Sequence, residues 1–208
     1  MRGCFISLEG SDGSGKSTLV RGLMQKTDWY GLDVDFTREP GGTDIGEKIR
    51  DILLDNDNVA MDARCEALLY AAARAQHTAQ RIRPQLAAGR HVFTERYVMS
   101  SLAYQGVARN LGIDAVAKIN DFATDGLRPD LILYMDADPL ELLKRKEKQG
   151  ETDRLEKSGV DFFLMVHQGY EKAVQACDHV FRVDALASPE EILEACWQAI
   201  IERIEALS

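Results

Sequence analysis

The stretch Gly10-Ser11-Asp12-Gly13-Ser14-Gly15-Lys16-Ser17-Thr18 sets Gly10, Gly15, Lys16 and Ser17 in the spacing G-x-x-x-x-G-K-S. That spacing is a phosphate cradle. Glycines let backbone N–H groups turn inward onto phosphate oxygens, and the following helix adds its positive N-terminal end. Lys16 is expected to span the β- and γ-phosphates and the Ser17 hydroxyl to ligate Mg²⁺. All nine residues, Gly10 to Thr18, are expected to bind the nucleotide, and ATP is favoured over GTP because no N-K-x-D guanine-reading motif occurs. Arg38, in "FTREPGGT", and Glu95 and Arg96, in "FTERY", follow two later apolar runs. A guanidinium fork suits phosphate, so two arginines facing the loop would hold an anionic acceptor in line with the γ-phosphate.

Such groups need a scaffold that brings strand ends together. "CFISLE", "DVDFT", "HVFTE", "DLILYMD" and "HVFRVD" read as five strands. Between them lie helical patterns: "KSTLVRGLMQK", "IGEKIRDILL", "CEALLYAAARAQHTAQRIRPQLAAG" with a kink at Pro84 and a stop at Gly89, "SSLAYQ", and "DAVAKINDFATDG". "DPLELLKRKEKQ" starts with Asp138 as N-cap and Pro139 at the first helical position; "VDFFLMVHQGYEKAVQA" and "SPEEILEACWQAIIERIEAL" follow. Near-continuous apolar strands alternating with helices predict an α/β fold, a five-stranded parallel sheet covered on both faces. Ligands then gather at the carboxyl ends of the strands, where the loop and the arginines fall.

The chain has 208 residues, 45% apolar and 28% charged, and a formal charge of −9. That balance argues against a dedicated nucleic-acid binder, which relies on a basic surface. The length suits a single domain over 1–208. Cys4, Cys65, Cys177 and Cys196 form no C-x-x-C pair and lie in apolar, patterned segments, so they are expected to be buried free thiols. No stretch approaches membrane-spanning length and the first apolar run is too short for a secretory signal; a cytoplasmic protein is expected.

"SLEGSDGSGKST", "FTREPGGT", "LLYAAARAQH", "ERYVMSSLAYQG", "PDLILYMD" and "DRLE", in that order across nearly the whole chain, resemble the thymidylate kinase family. The resemblance implies a P-loop nucleoside monophosphate kinase fold, transfer of phosphate from Mg-ATP to dTMP, and a homodimer. Arg38 and Arg96 would grip the dTMP phosphate. Tyr70 would stack on thymine, and Arg74, one helical turn on, would reach its O4 carbonyl. Ser101 and Gln105 would meet the polar edge of the base, Tyr104 would pack near the sugar 2′ position, and Asp12 would accept from the 3′-OH. "KRKEKQGETDRLE" would form a lid over ATP, about 144–158. Family members carry a catalytic arginine either in the loop or in the lid. Gly13 and Ser14 occupy the loop positions here, so the resemblance assigns the role to Arg154 or Arg145, with Lys148 in support.

One residue departs from the family pattern: Glu95 stands where Asp is usual. Its expected task, orienting water on Mg²⁺ or steadying an arginine, tolerates one more methylene. Glu-Arg is also similar to deoxynucleoside kinases, which phosphorylate a hydroxyl and need a general base. A non-catalytic ATP-binding switch is the alternative from another class. It would need a partner face, and no exposed apolar stripe is discernible in the sequence.

Overall fold

A computed structural model describes residues 2–147 and 159–207. Five strands, β1 (Phe5–Glu9), β2 (Val34–Arg38), β3 (His91–Glu95), β4 (Leu131–Asp136) and β5 (Val180–Asp184), form one sheet in the order β2-β3-β1-β4-β5. Every pairing is parallel. β1 is central and buried along its whole length, Ser7 and Glu9 included. The register pairs Leu8 with Glu95 and Arg38 with Glu95, so the ends of β1, β2 and β3 lie side by side.

Helices cover both faces. α1 (Lys16–Tyr30) and α9 (Pro189–Leu207) share a core with Ile6 and Leu8 of β1, to which they contribute Leu19, Leu23, Cys196 and Ile200. The opposite face carries α3 (Ala63–His77), α5 (Val98–Ser101), α6 (Ile113–Thr124) and α8 (Val160–Gln175). There, Ile132 and Tyr134 of β4 pack with Val116, Val166 and Tyr170. α2 (Asp44–Leu54) lies against α3. α4 (Arg83–Ala87) packs Leu86 with Phe5, and α7 (Pro139–Glu147) follows β4, with Asp138 accepting from the Leu140 and Glu141 N–H groups as an N-cap. No helix among the described residues is long and apolar enough to cross a membrane.

The structure refines two sequence expectations and corrects two others. Before Pro84 the chain widens into a π-helical turn, Thr78–Ile82, with the Arg83 N–H donating to the Thr78 carbonyl. "SSLAYQ" is not a plain helix: α5 passes into a π-helical segment, Leu102–Ala108. There α8 approaches so closely that a Cβ on Gly169 would lie 2.5 Å from the Ala103 carbonyl oxygen. Of the cysteines, Cys4 and Cys196 are buried, but Cys177 is only partly covered and Cys65 is exposed. Apolar side chains also reach the surface where the sequence suggested no such face. Ile45 and Ile52 on α2, Leu68 on α3 and Phe122 on α6 are exposed, Phe122 by 90%. An amphipathic pattern states which residues are apolar, not whether the domain's own core covers them.

Candidate active site

The glycine loop joins β1 to α1 with Gly10 at φ 143°, Gly13 at 81° and Gly15 at 89°, left-handed values that L side chains avoid. A Cβ on Gly10 would also lie 2.6 Å from the Met135 carbonyl oxygen. Lys16 folds back over the loop, its Nζ donating to the Gly10 and Ser11 carbonyls at 3.0 and 2.9 Å. Burial, and next the nearby Arg96 guanidinium, push its pKa down to about 8; Asp12, Glu95 and Glu9 oppose this. The Ser17 hydroxyl donates to Glu95 Oε2 at 3.4 Å. A loop hydroxyl beside a carboxylate is a hard-oxygen donor pair, which fits Mg²⁺.

Opposite Ser17 opens a cavity of about 340 Å³. Asp12, Arg38, Tyr70, Arg74, Arg96, Ser101, Tyr104 and Gln105, the residues assigned by resemblance to the monophosphate, all line it, together with Ser17 and Glu95. Arg38 is drawn toward its own loop, donating to the Pro40 carbonyl at 2.7 Å and to Glu47 at 2.8 Å. That bond is the main cause holding the Glu47 carboxyl below its usual range.

Arg96 is the hub. It donates to the Gly10 carbonyl at 3.0 Å, the Ser100 hydroxyl at 3.1 Å, the Tyr170 hydroxyl at 2.9 Å and Asp12 at 2.6 Å. Its φ of 67° is unusual for a residue with a Cβ. The fold holds that turn from both sides. The Arg96 N–H donates to the Leu8 carbonyl at 2.8 Å, and the next N–H, of Tyr97, donates to Glu9 Oε1 at 2.8 Å. Glu9 also accepts from the Ser100 hydroxyl at 2.6 Å, and its complete burial raises its pKa. Nothing in the sequence reading marked Glu9; the available signal was a carboxylate closing an otherwise apolar central strand.

Arg74, which also lines the cavity, is 2% exposed. Its Nε donates to Glu39 at 2.6 Å, Nη1 to the Ser101 hydroxyl at 2.8 Å and to Asn120 Oδ1, and Nη2 to the Tyr97 carbonyl at 3.0 Å. A guanidinium has five N–H groups, so these four bonds leave one on Nη2, on a side chain that lines the cavity. Ser101, accepting from Arg74, keeps its own proton to donate. Gln105 Nε2 donates to Glu66 at 3.0 Å, and the Tyr104 hydroxyl donates to Asp12 at 3.1 Å. Glu39, Asn120, Glu66 and Tyr170 escaped sequence reasoning because each lies far along the chain from its partner.

Arg145 lies on α7 and donates to the Ala185 carbonyl at 2.8 Å, away from the cavity lining. Arg154 and Lys148 lie outside the described residues. A second cluster, Asp136, His167 and Glu171, brings its ligand atoms within 4.8 Å of one another. Arg182 already pairs with both carboxylates there, at 3.1 and 2.8 Å, which makes it an ion-pair network.

The chain matches the family described as thymidylate kinase over residues 8–196. It is 45% identical to a thymidylate kinase of Finegoldia magna over 199 residues, covering 96% of this chain and 98% of the relative. Against one from Clostridium novyi it is 49% identical over 176 residues, 84% of this chain and 86% of the relative. A Geobacillus thymidylate kinase is 45% identical over 208 residues, 99% of each chain. A glycine loop and two arginines, Arg38 and Arg96, around one cavity agree with these matches, and the chain belongs to the thymidylate kinase family.

Proposed function

We propose that this chain transfers the γ-phosphoryl group of ATP to dTMP, giving ADP and dTDP. The observation that carries the reading is the cavity itself. Its lining includes Ser17, Arg38 and Arg96 together with Arg74 and Gln105. Arg74 offers one N–H donor and Gln105 one amide carbonyl. Thymine presents the complement, an O4 acceptor beside an N3–H donor; cytosine presents the reverse. Tyr70 and Tyr104 supply the apolar walls for a base and a sugar.

In the mechanism, Lys16 leaves the Gly10 and Ser11 carbonyls to meet phosphate oxygens, and the loop N–H groups hold the donor. Arg96 and Arg38 draw the acceptor phosphate toward the γ-phosphoryl group and offset the repulsion between the two anions. No general base is needed, since a monophosphate with a second pKa of about 6 arrives largely ionised. Asp12, already accepting from Arg96 and Tyr104, is set to accept from a sugar hydroxyl as well. Mg²⁺ would be held by Ser17, with Glu95 acting through water, and would supply charge neutralisation at the phosphates. The proximity of Glu95 to Ser17 favours that task over the general-base role of a nucleoside kinase.

The segment 144–158 would close over ATP and supply the catalytic arginine, from Arg154 or Arg145; the whole of 1–208 is read as one kinase domain with that lid. The exposed Ile45, Ile52, Leu68 and Phe122 lie on α2, α3 and α6, which pack in succession and favour a homodimer through that side. A cytoplasmic location goes with this reading.

A panel of nucleoside monophosphates with thymidine itself, assayed for ADP release with Mg-ATP, tests the reading. Stimulation by dTMP well above dCMP and dGMP is expected. A response to thymidine in place of dTMP would make the protein a nucleoside kinase, and no response to any acceptor would make it a switch. Glu95→Gln is expected to lower kcat about tenfold and to shift the Mg²⁺ titration of the rate to higher concentration, while Glu95→Asp stays close to the parent. An unchanged Mg²⁺ titration in Glu95→Gln would remove the metal role.

A further inference from the structure

Gln105 can recognise a base in either of two senses. With its carbonyl toward the cavity it accepts from an N–H; flipped, it donates to a ring nitrogen. A free glutamine does both, so something must choose. We propose that Glu66, on α3, sets the base specificity of the cavity by fixing which end of the Gln105 amide faces the ligand.

Glu66 is 1% exposed, and Gln105 Nε2 donates to its Oε1 at 3.0 Å. A carboxylate only accepts, so the flipped amide would set two oxygens against each other in a buried site. Arg109 donates to both oxygens of the same carboxylate, from Nε at 3.3 Å and from Nη2 at 3.2 Å, and offsets its charge. The Arg109 guanidinium in turn lies over the Phe162 ring, 4.4 Å from its centre. One Nε2 N–H bonded to Glu66 fixes the sense of the amide, which turns Oε1 away from the carboxylate and leaves it available as an acceptor. Arg74, with its remaining N–H, presents a donor. An acceptor beside a donor matches the N3–H and O4 of a thymine or uracil ring. It opposes cytosine, whose N3 accepts and whose N4 donates. Glu66 touches no reacting atom; it is a positioning residue acting through Gln105.

This inference rests on the dTMP kinase reading, and the experiment separates the two. Steady-state kcat and KM for dTMP and dCMP are measured on the parent, Glu66→Gln, Glu66→Asp and Arg109→Ala, with thermal unfolding of each. Glu66→Gln keeps the volume but can accept or donate, so it frees the amide to flip. The dTMP:dCMP ratio of kcat/KM is expected to fall about tenfold, through KM, with kcat on dTMP within about twofold of the parent. Glu66→Asp keeps an acceptor-only group and should retain most of the preference. Arg109→Ala leaves the Glu66–Gln105 bond and should retain it too, even where the unfolding temperature drops. A ratio unchanged in Glu66→Gln overturns the proposal, as does a loss in Arg109→Ala equal to that in Glu66→Gln. If Glu66→Gln does not fold, Glu66→Asp decides: loss of preference with kcat intact contradicts the orienting role. A parent enzyme indifferent to dTMP would fail the activity reading instead.

Discussion

Lys16→Ala is expected to lower kcat about 1,000-fold or more, with the chain still folded. In the free protein the Lys16 ammonium rests on the Gly10 and Ser11 carbonyls, neutral acceptors that hold it with little charge compensation. The γ-phosphoryl oxygens gain negative charge as transfer proceeds, so the lysine stabilises the transition state more than the ground state. The same geometry gives a pH signature. Burial and Arg96 set the Lys16 pKa at about 8, below the ordinary lysine value. As pH rises through about 8 the free enzyme loses this proton, and the neutral amine no longer attracts phosphate. The kcat/KM for ATP should therefore fall on the alkaline side, and ATP binding near pH 8.5 should take up a proton, because phosphate restores the charged form. Calorimetry in two buffers of different ionisation enthalpy reads that uptake. Binding without proton uptake, or a kcat/KM flat to pH 9, would contradict the assigned role.

Arg96→Ala is expected to cut kcat/KM for dTMP about 1,000-fold while leaving the KM for ATP within a few-fold. Arg96 combines bonds to the loop at Gly10, to Ser100 and Tyr170, and to Asp12, so one guanidinium sets loop, helix and acceptor relative to one another. Lysine has no planar fork with which to span those directions, and Arg96→Lys should recover less than tenfold of the loss. Glu9, beneath the turn and already raised in pKa by burial, can take up a proton when the arginine leaves, which limits the damage to folding. Recovery of Arg96→Lys to within about threefold of the parent would show that charge alone, not the fork, is used.

Much of this molecule is written locally. The strands are legible because a parallel sheet covered on both faces needs near-continuous apolar runs, and β4, with Leu131 to Met135 all apolar, has the clearest one. The glycine loop is legible because a left-handed backbone turned inward onto phosphate restricts residue type at consecutive positions. Arg38 and Arg96 are legible because a basic residue at or just past the end of a strand falls at the carboxyl edge of the sheet.

The groups that set these side chains are not written that way. Glu39 reaches Arg74 across 35 positions, Glu66 reaches Gln105 across 39, and Glu9 reaches Ser100 across 91. Each acid taken alone could be a surface charge. It becomes a positioning group only once packing removes water and leaves a few fixed partners within reach. The exposed Cys65 and Phe122 lie on helices, as the buried Cys196 and Phe162 do, and differ from them in which side of the helix meets the core. Sequence thus determined which chemical groups this chain possesses and near which strand ends they fall. Tertiary packing decided which way each group points and which of its hydrogen bonds are already spent, because those depend on neighbours the local chain does not contain.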